Sequence, residues 1–182
     1  MMNRRLPARE INARMTSTPS TTPPTRSLPS DPRDAAVLIV DDDPTAVQLL
    51  GKMLAGYRNV RFASGGEEAL QRAAQTLPDV VLLDAEMPGL DGFGVCRALK
   101  ADPTLAQAIV IFVTMHSDAA VEARVFQCGA VDFITKPVNA AVLQARVETH
   151  LRMRRMALEI ERLRQEVERH KLRARRGRTA VC

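Results

Sequence analysis

The sequence predicts a doubly wound α/β domain built on five parallel strands and continued by a long C-terminal helix. Three observations predict it. Five short apolar runs lack the polar alternation of a half-exposed sheet, as strands covered on both faces do. Amphipathic segments of helical period separate them, which points to strand–helix–strand units. The runs also end on polar side chains, mainly carboxylates, as expected where an open parallel sheet presents its carboxyl edge to a ligand.

The expected strands are AAVLIV (35–40), VRFA (60–63), DVVLL (79–83), AIVIFV (108–113) and VDFI (131–134). Helical patterns lie between them at about 44–57, 65–76, 91–100 and 118–128. Asp43 and Pro44 suit the entry of the first helix. Ser64 and Glu67 have the spacing of a capping box for the second. Leu90-Asp91-Gly92 starts the third, and Gly129 stands where the fourth ends. After Pro137 a last helical pattern runs to about Arg175. Residues 1–34 are rich in Pro, Ser and Thr without apolar periodicity and read as a disordered tail. The expected organisation is therefore a tail at 1–34, a domain at 35–150, a helical extension at 151–175 and a disordered basic end at 176–182.

Composition narrows the function classes. Hydrophobic residues form 46% of the 182 and aromatics only 3%, so an aliphatic core is available. The three cysteines, Cys96, Cys128 and Cys182, are widely spaced, which argues for reduced thiols and a cytoplasmic setting over a disulfide framework. No apolar run approaches the roughly 18–20 residues that span a bilayer, and no signal-peptide core precedes the domain. The net charge of +5 is segregated: +3 over residues 1–34, −5 over 35–150 and +7 over 151–182. The basicity thus belongs to the ends. No helix-turn-helix fits in the remainder, and the stretch KLRARRGRTAVC lacks aromatics, so a solvated charged end is preferred to a nucleic-acid site.

The strand ends carry the chemistry. Strand 1 runs into Asp41-Asp42-Asp43, strand 3 into Asp84, strand 4 into Thr114 and strand 5 into Thr135-Lys136-Pro137. Clustered carboxylates raise one another's pKa unless a cation joins them. An all-oxygen donor set favours a hard cation, and Mg²⁺ suits it because it takes one or two carboxylates plus a phosphate oxygen. A carboxylate nucleophile is ionised at neutral pH and needs no general base. Phosphoryl transfer asks mainly for alignment and charge neutralisation, which Lys136 and Thr114 would complete. Alone, Asp84 would read as a turn cap and Lys136 as a surface lysine; their company gives them meaning. His116, His150 and His170 are scattered singly and support neither a metal site nor a phosphotransfer histidine.

VLIVDDDP, VVLLDAEMPGLDG, IVIFVTMHSD and GAVDFITKP resemble, in order and spacing, the signature segments of the two-component response regulator receiver family. The resemblance covers about residues 36–149 and implies a flavodoxin-like sheet of order 2-1-3-4-5. It implies that Asp41 and Asp42 position Mg²⁺, that Asp84 accepts the phosphoryl group, and that the Glu86 backbone carbonyl joins the metal. Thr114 and Lys136 then engage the phosphoryl oxygens, and Thr114 with Phe133 forms the switch. A sensor histidine kinase or phosphotransfer protein is the implied donor. The chain would catalyse only its own phosphorylation and dephosphorylation. The family usually has a small residue where Met115 stands, so a side chain narrowing access to Asp84 is expected there. The Glu86 carboxylate is a second departure.

Beyond the domain, Met153, Met156, Ile160, Leu163, Val167 and His170 recur at alternating spacings of three and four. That is an a/d seam, with Glu159 and Glu166 at g and Arg164 and Lys171 at e, and it suits a weak parallel two-stranded coiled coil. A lone helix folded back on its own domain is the competing account. The stretch from ARVETHLRMRR onward also resembles linkers to cyclase, phosphodiesterase or kinase outputs, so either a stand-alone regulator or a separated output is expected. Two other functions compete. A degenerate receiver acting as a scaffold conflicts with the intact acid pair, Asp84, Thr114 and Lys136. An aspartyl phosphatase usually carries a second Asp two residues after the nucleophile, where this chain has Glu86.

Overall fold

The computed structural model describes residues 28–116 and 118–179, with side chains described as far as Lys171. Residues 1–27 of the tail expected at 1–34, Ser117 and residues 180–182 with Cys182 lie outside the described residues. Five strands, β1 (Ala36–Val40), β2 (Asn59–Ala63), β3 (Val80–Asp84), β4 (Ile109–Thr114) and β5 (Asp132–Thr135), form one sheet. Its order is β2-β1-β3-β4-β5, with all neighbours parallel. The helices are α1 (Pro44–Met53), α2 (Gly66–Thr76), α3 (Gly92–Ala101), α4 (Ala119–Gln127) and α5 (Ala140–Thr179). The doubly wound fold with a long last helix is as predicted.

Alternation within each strand sorts the core onto two faces. Leu38, Val81, Leu83, Val110 and Phe112 face α2, α3 and α4, where they meet Ala69, Ala73, Val95, Leu99 and Val125. Val37, Ile39, Leu82, Ile111 and Val113 face α1 and α5, where they meet Leu50, Leu54, Leu143, Val147 and Leu151. Every one of these residues is buried, which is why the strands show no polar alternation. The Asp79 carboxylate accepts from the Ala36 backbone N–H at 2.9 Å and ties the entries of β1 and β3 together.

Helix entries reflect local chemistry. Asp43 caps α1 by accepting from the Thr45 N–H, with Pro44 in the first turn. Asp91 caps α3 through the Gly94 N–H at 2.7 Å, and Asn139 caps α5 through the Ala141 and Val142 N–H groups. The capping box expected at Ser64 and Glu67 is displaced by one residue. Gly65 occupies the N-cap in extended backbone, so the third helical position is Glu68, whose carboxylate accepts from both the Ser64 N–H and hydroxyl at 2.8 Å. These bonds, with Arg72, hold the Glu68 carboxyl down at about 2.

Two boundaries differ from expectation. Residues 32–34 form a 3₁₀ turn capped by Asp31, and Leu28 packs on the α1/α5 face of the core, so ordered chain begins before residue 35. At the other end α5 continues to Thr179, past the expected stop near Arg175. Neither could be read from periodicity, because the first depends on tertiary contact and the second on a charged segment without an apolar face.

Candidate functional site at the carboxyl edge of the sheet

The carboxyl ends of β1, β3, β4 and β5 converge on one acidic cleft. Asp41 directly follows β1, while Asp84, Thr114 and Thr135 are the last residues of their strands. Asp41 is buried, and its Oδ1 accepts from the Asp43 N–H at 3.0 Å, which fixes the carboxylate's orientation. Asp84 Oδ2 accepts from the Glu86 N–H at 3.1 Å. Asp42 is exposed at the rim. Each of Asp41, Asp42 and Asp84 offers a carboxylate oxygen within 4.8 Å of those of the other two.

Lys136 spans the cleft. Its Nζ donates to Asp41 Oδ2 at 2.7 Å and to Asp84 Oδ1 at 2.9 Å, and its side chain is only 19% exposed. One ammonium therefore serves two buried carboxylates, with a third alongside. Burial pushes the Asp84 carboxyl above its ordinary range against the pull of Lys136, and Asp41 adds to the rise. Burial works to lower Lys136, but Asp41 and Asp84 together hold it above its ordinary value. The cluster is short of positive charge. Its three carboxylate donors, with no His or Cys among them, fit a hard divalent cation such as Mg²⁺.

Thr114 is buried at the end of β4, and its hydroxyl oxygen accepts the His116 N–H at 3.2 Å. The hydroxyl hydrogen remains available for donation. Beside it opens a cleft of about 440 Å³ lined by Glu86, Met87, Phe93, Thr114, His116 and Arg124, among others. The Met115 side chain, which the sequence expects to narrow access to Asp84, is 67% exposed at the exit of β4. The Glu86 side chain also points outward, 3.4 Å from the His116 imidazole, leaving its backbone facing the acidic cluster. Phe133 is half-buried on β5, and its ring meets Phe126 of α4 edge-on at 6.4 Å. The Lys136–Pro137 peptide is cis.

Sequence reasoning missed a charge cluster on the α4–β5–α5 side. Asp132 receives Arg146 at 2.6 Å and His150 at 2.9 Å, both from α5. Burial alone would raise the Asp132 carboxyl, but those bonds and the Phe133 N–H hold it below the usual range. The only sequence signal was the helical spacing of Arg146 and His150, four residues apart. A group with a depressed folded-state pKa contributes stability above its unfolded value and loses it as pH falls through the folded one. Asp132→Asn is thus expected to cost about 1 kcal/mol near neutral pH, screening by the exposed Arg146 included. Urea denaturation should show this difference shrinking below about pH 4; a gap that held constant into acid would refute the assignment.

Cys96 and Cys128 are buried, as packed thiols should be. Burial pushes the Cys96 thiol up to about 12. Met153, Met156, Ile160, Leu163 and Val167 lie along α5 beyond the sheet, each between 50% and 59% exposed. Met153, at the start of the seam, shares a cleft with Ile109 and Val131 of the domain. No helix among the described residues is long and apolar enough to cross a membrane.

With this edge in view, the comparisons with known proteins are direct. The response regulator receiver domain profile matches residues 37–148, and the chain belongs to that family. It is 43% identical over 132 residues to the response regulator PleD of Caulobacter vibrioides, covering 72% of this chain and 28% of that one. It is 36% identical over 121 residues to the transcriptional regulatory protein YvrH of Bacillus subtilis, covering 65% of this chain and 50% of that one. Among solved structures, the chemotaxis protein CheY4 of Vibrio cholerae superposes with a TM-score of 0.61 at 28% identity, over 64% of this chain and 98% of that one. The chain spans half or less of the length of these two regulators.

Proposed function

We propose that the chain is a phosphorylation-dependent switch in which Asp84 accepts a phosphoryl group from a histidine kinase or phosphotransfer protein. The observation that carries this reading is the single Lys136 ammonium held between Asp41 and Asp84 at the carboxyl edge of the sheet. An Asp84 oxygen attacks phosphorus, the bond from phosphorus to the donor nitrogen breaks, and the departing imidazole takes up a proton. Lys136 exchanges one carboxylate for a phosphoryl oxygen, and Thr114 donates its hydroxyl hydrogen to another. Asp41, Asp42 and Asp84, with the Glu86 carbonyl, are the residues proposed to hold Mg²⁺, which supplies neutralisation of phosphoryl charge when bound.

The output reading runs through the last helix. The movement of Thr114 toward the phosphoryl group frees space for Phe133, whose ring contacts α4, and α5 carries the same face out of the domain. The exposed seam from Met153 to Val167 supports a parallel homodimer whose weakness lets a modest change in that face shift its population. Membrane attachment and nucleic-acid binding form no part of this reading, and a cytoplasmic location suits a kinase-served regulator.

Incubation with acetyl phosphate and Mg²⁺, followed by phosphate-affinity electrophoresis, tests the proposal. A retarded band that disappears without Mg²⁺ and is absent from Asp84→Asn is expected. An unretarded wild-type chain would leave the scaffold reading in its place.

A further inference from the structure

Two pieces of ordered chain lie outside the family match at 37–148, and they pack against each other. One is residues 28–34; the other is the part of α5 that leaves the sheet. Arg155 of α5 donates from Nη2 to the Pro29 carbonyl at 2.8 Å. Leu28 packs on the core face formed by α1 and α5. The base of this segment is pinned to the body. Arg58 pairs with Asp34 and lies 3.6 Å from Asp31, its N–H donates to the Arg33 carbonyl at 2.8 Å, and Asn59 donates to the Asp34 carbonyl at 2.9 Å.

A cleft of about 470 Å³ starts at Leu28 and runs along α5 past Arg155, Leu158, Arg162 and Gln165. At about 100° per residue these positions fall roughly opposite Met153, Met156, Ile160, Leu163 and Val167. The helix thus offers a back face to its own chain and a front face to a partner. Arg155, which lines the cleft, has a buried Nε with no hydrogen-bond partner among the described residues, and so does the hydroxyl of Tyr57, which packs with Leu28 on the same core face. Tyr57 lies under the influence of both Glu148 of α5 and Arg33 of the arm. A buried donor without a partner is costly, so such groups point to something that completes them. The distance from Arg155 to Gln165 is about 15 Å of helix, within reach of about five extended residues, and 27 residues precede Leu28.

We propose that the back face of α5 is a docking track for the chain's own N-terminal arm. Residues 28–34 are its seated end, and the residues preceding Leu28 continue along the cleft toward Gln165. The arm braces the helix where it leaves the domain and keeps the front seam free, so arm docking and pairing of two copies are compatible.

The test uses the full-length protein and two readouts, tryptic cleavage after Arg26 and amide hydrogen exchange across residues 155–165. Leu28→Asp is expected to accelerate both by about tenfold while exchange in β3 and β4 is unchanged. Arg155→Ala, which removes the bond to Pro29 and the Arg155 part of the cleft wall but leaves Leu28 in place, should do the same to a smaller degree. Cleavage after Arg26 at the wild-type rate in both variants would overturn the proposal. Repeating the comparison in an Ile160→Asp background separates it from coil pairing. Acceleration by Leu28→Asp should persist there, because Ile160 is on the opposite face; its disappearance would assign the protection to the paired seam and overturn the arm.

Discussion

Gly92→Ala is expected to cost the domain about 4 kcal/mol or more, a large part of an ordinary fold's stability. Gly92 opens α3 directly behind the acidic cleft, and its N–H donates to the Ala85 carbonyl at 3.2 Å. A Cβ at this position would lie 2.0 Å from the Asp84 carbonyl oxygen and 3.0 Å from its carbonyl carbon. Both are backbone atoms of the central strand β3, so no side chain can swing aside. Relief requires α3 to part from β3, which opens the core around Phe93 and Val95 and displaces Asp84 itself. A fall in Tm of roughly 10 °C or more is expected for a chain of this size. Gly56→Ala is the matched control, since a Cβ there meets nothing within 4 Å; it should change stability by no more than about 0.5 kcal/mol. Equal melting of the two variants would mean that the α3 entry yields far more easily than its contacts imply.

The second large effect concerns Lys136. Lys136→Ala would leave Asp41 and Asp84 buried together without their shared cation. Breaking a buried pair by removing one partner typically costs about 3–5 kcal/mol, and the partial exposure of Lys136 brings the expectation nearer to about 2–3 kcal/mol. The loss should depend on divalent cations. In buffer with chelator the variant is expected to be much less stable than wild type; in saturating Mg²⁺ part of the difference should return, because a ligand that binds only the folded state stabilises it by mass action. Thermal melts of both proteins, with and without Mg²⁺, check this. A variant that gained no more from Mg²⁺ than wild type does would contradict the charge deficit inferred for the cleft.

These two positions show different degrees of legibility. Lys136 stands out in the sequence because it comes after an apolar strand and precedes proline, and its role depends on Asp41 and Asp84, 95 and 52 residues earlier, being brought to the same edge. Gly92 reads only as a helix start, since the proximity of the Asp84 carbonyl is created by the β3–α3 turn. The Ser64 cap is an intermediate case: its chemistry was visible, but Gly65 moved the helix by one residue and handed the bond to Glu68. Met115 differs again: its bulk is legible in the sequence, but the 67% exposure of its side chain at the strand exit is set by the packed structure.

By itself the sequence determined the features that local physics governs. Apolar runs without alternation specify strands covered twice, helical periodicity specifies the covering layers, and strand-end polar residues specify a ligand edge. Tertiary structure alone decided which charges meet. It placed one ammonium between two carboxylates, joined Asp132 to Arg146 and His150 across 14 and 18 residues, and seated Pro29 against Arg155 across 126. Such partners leave no periodic trace in the chain, because a hydrogen bond between distant residues depends on where the packed elements bring their ends and not on the spacing within either one.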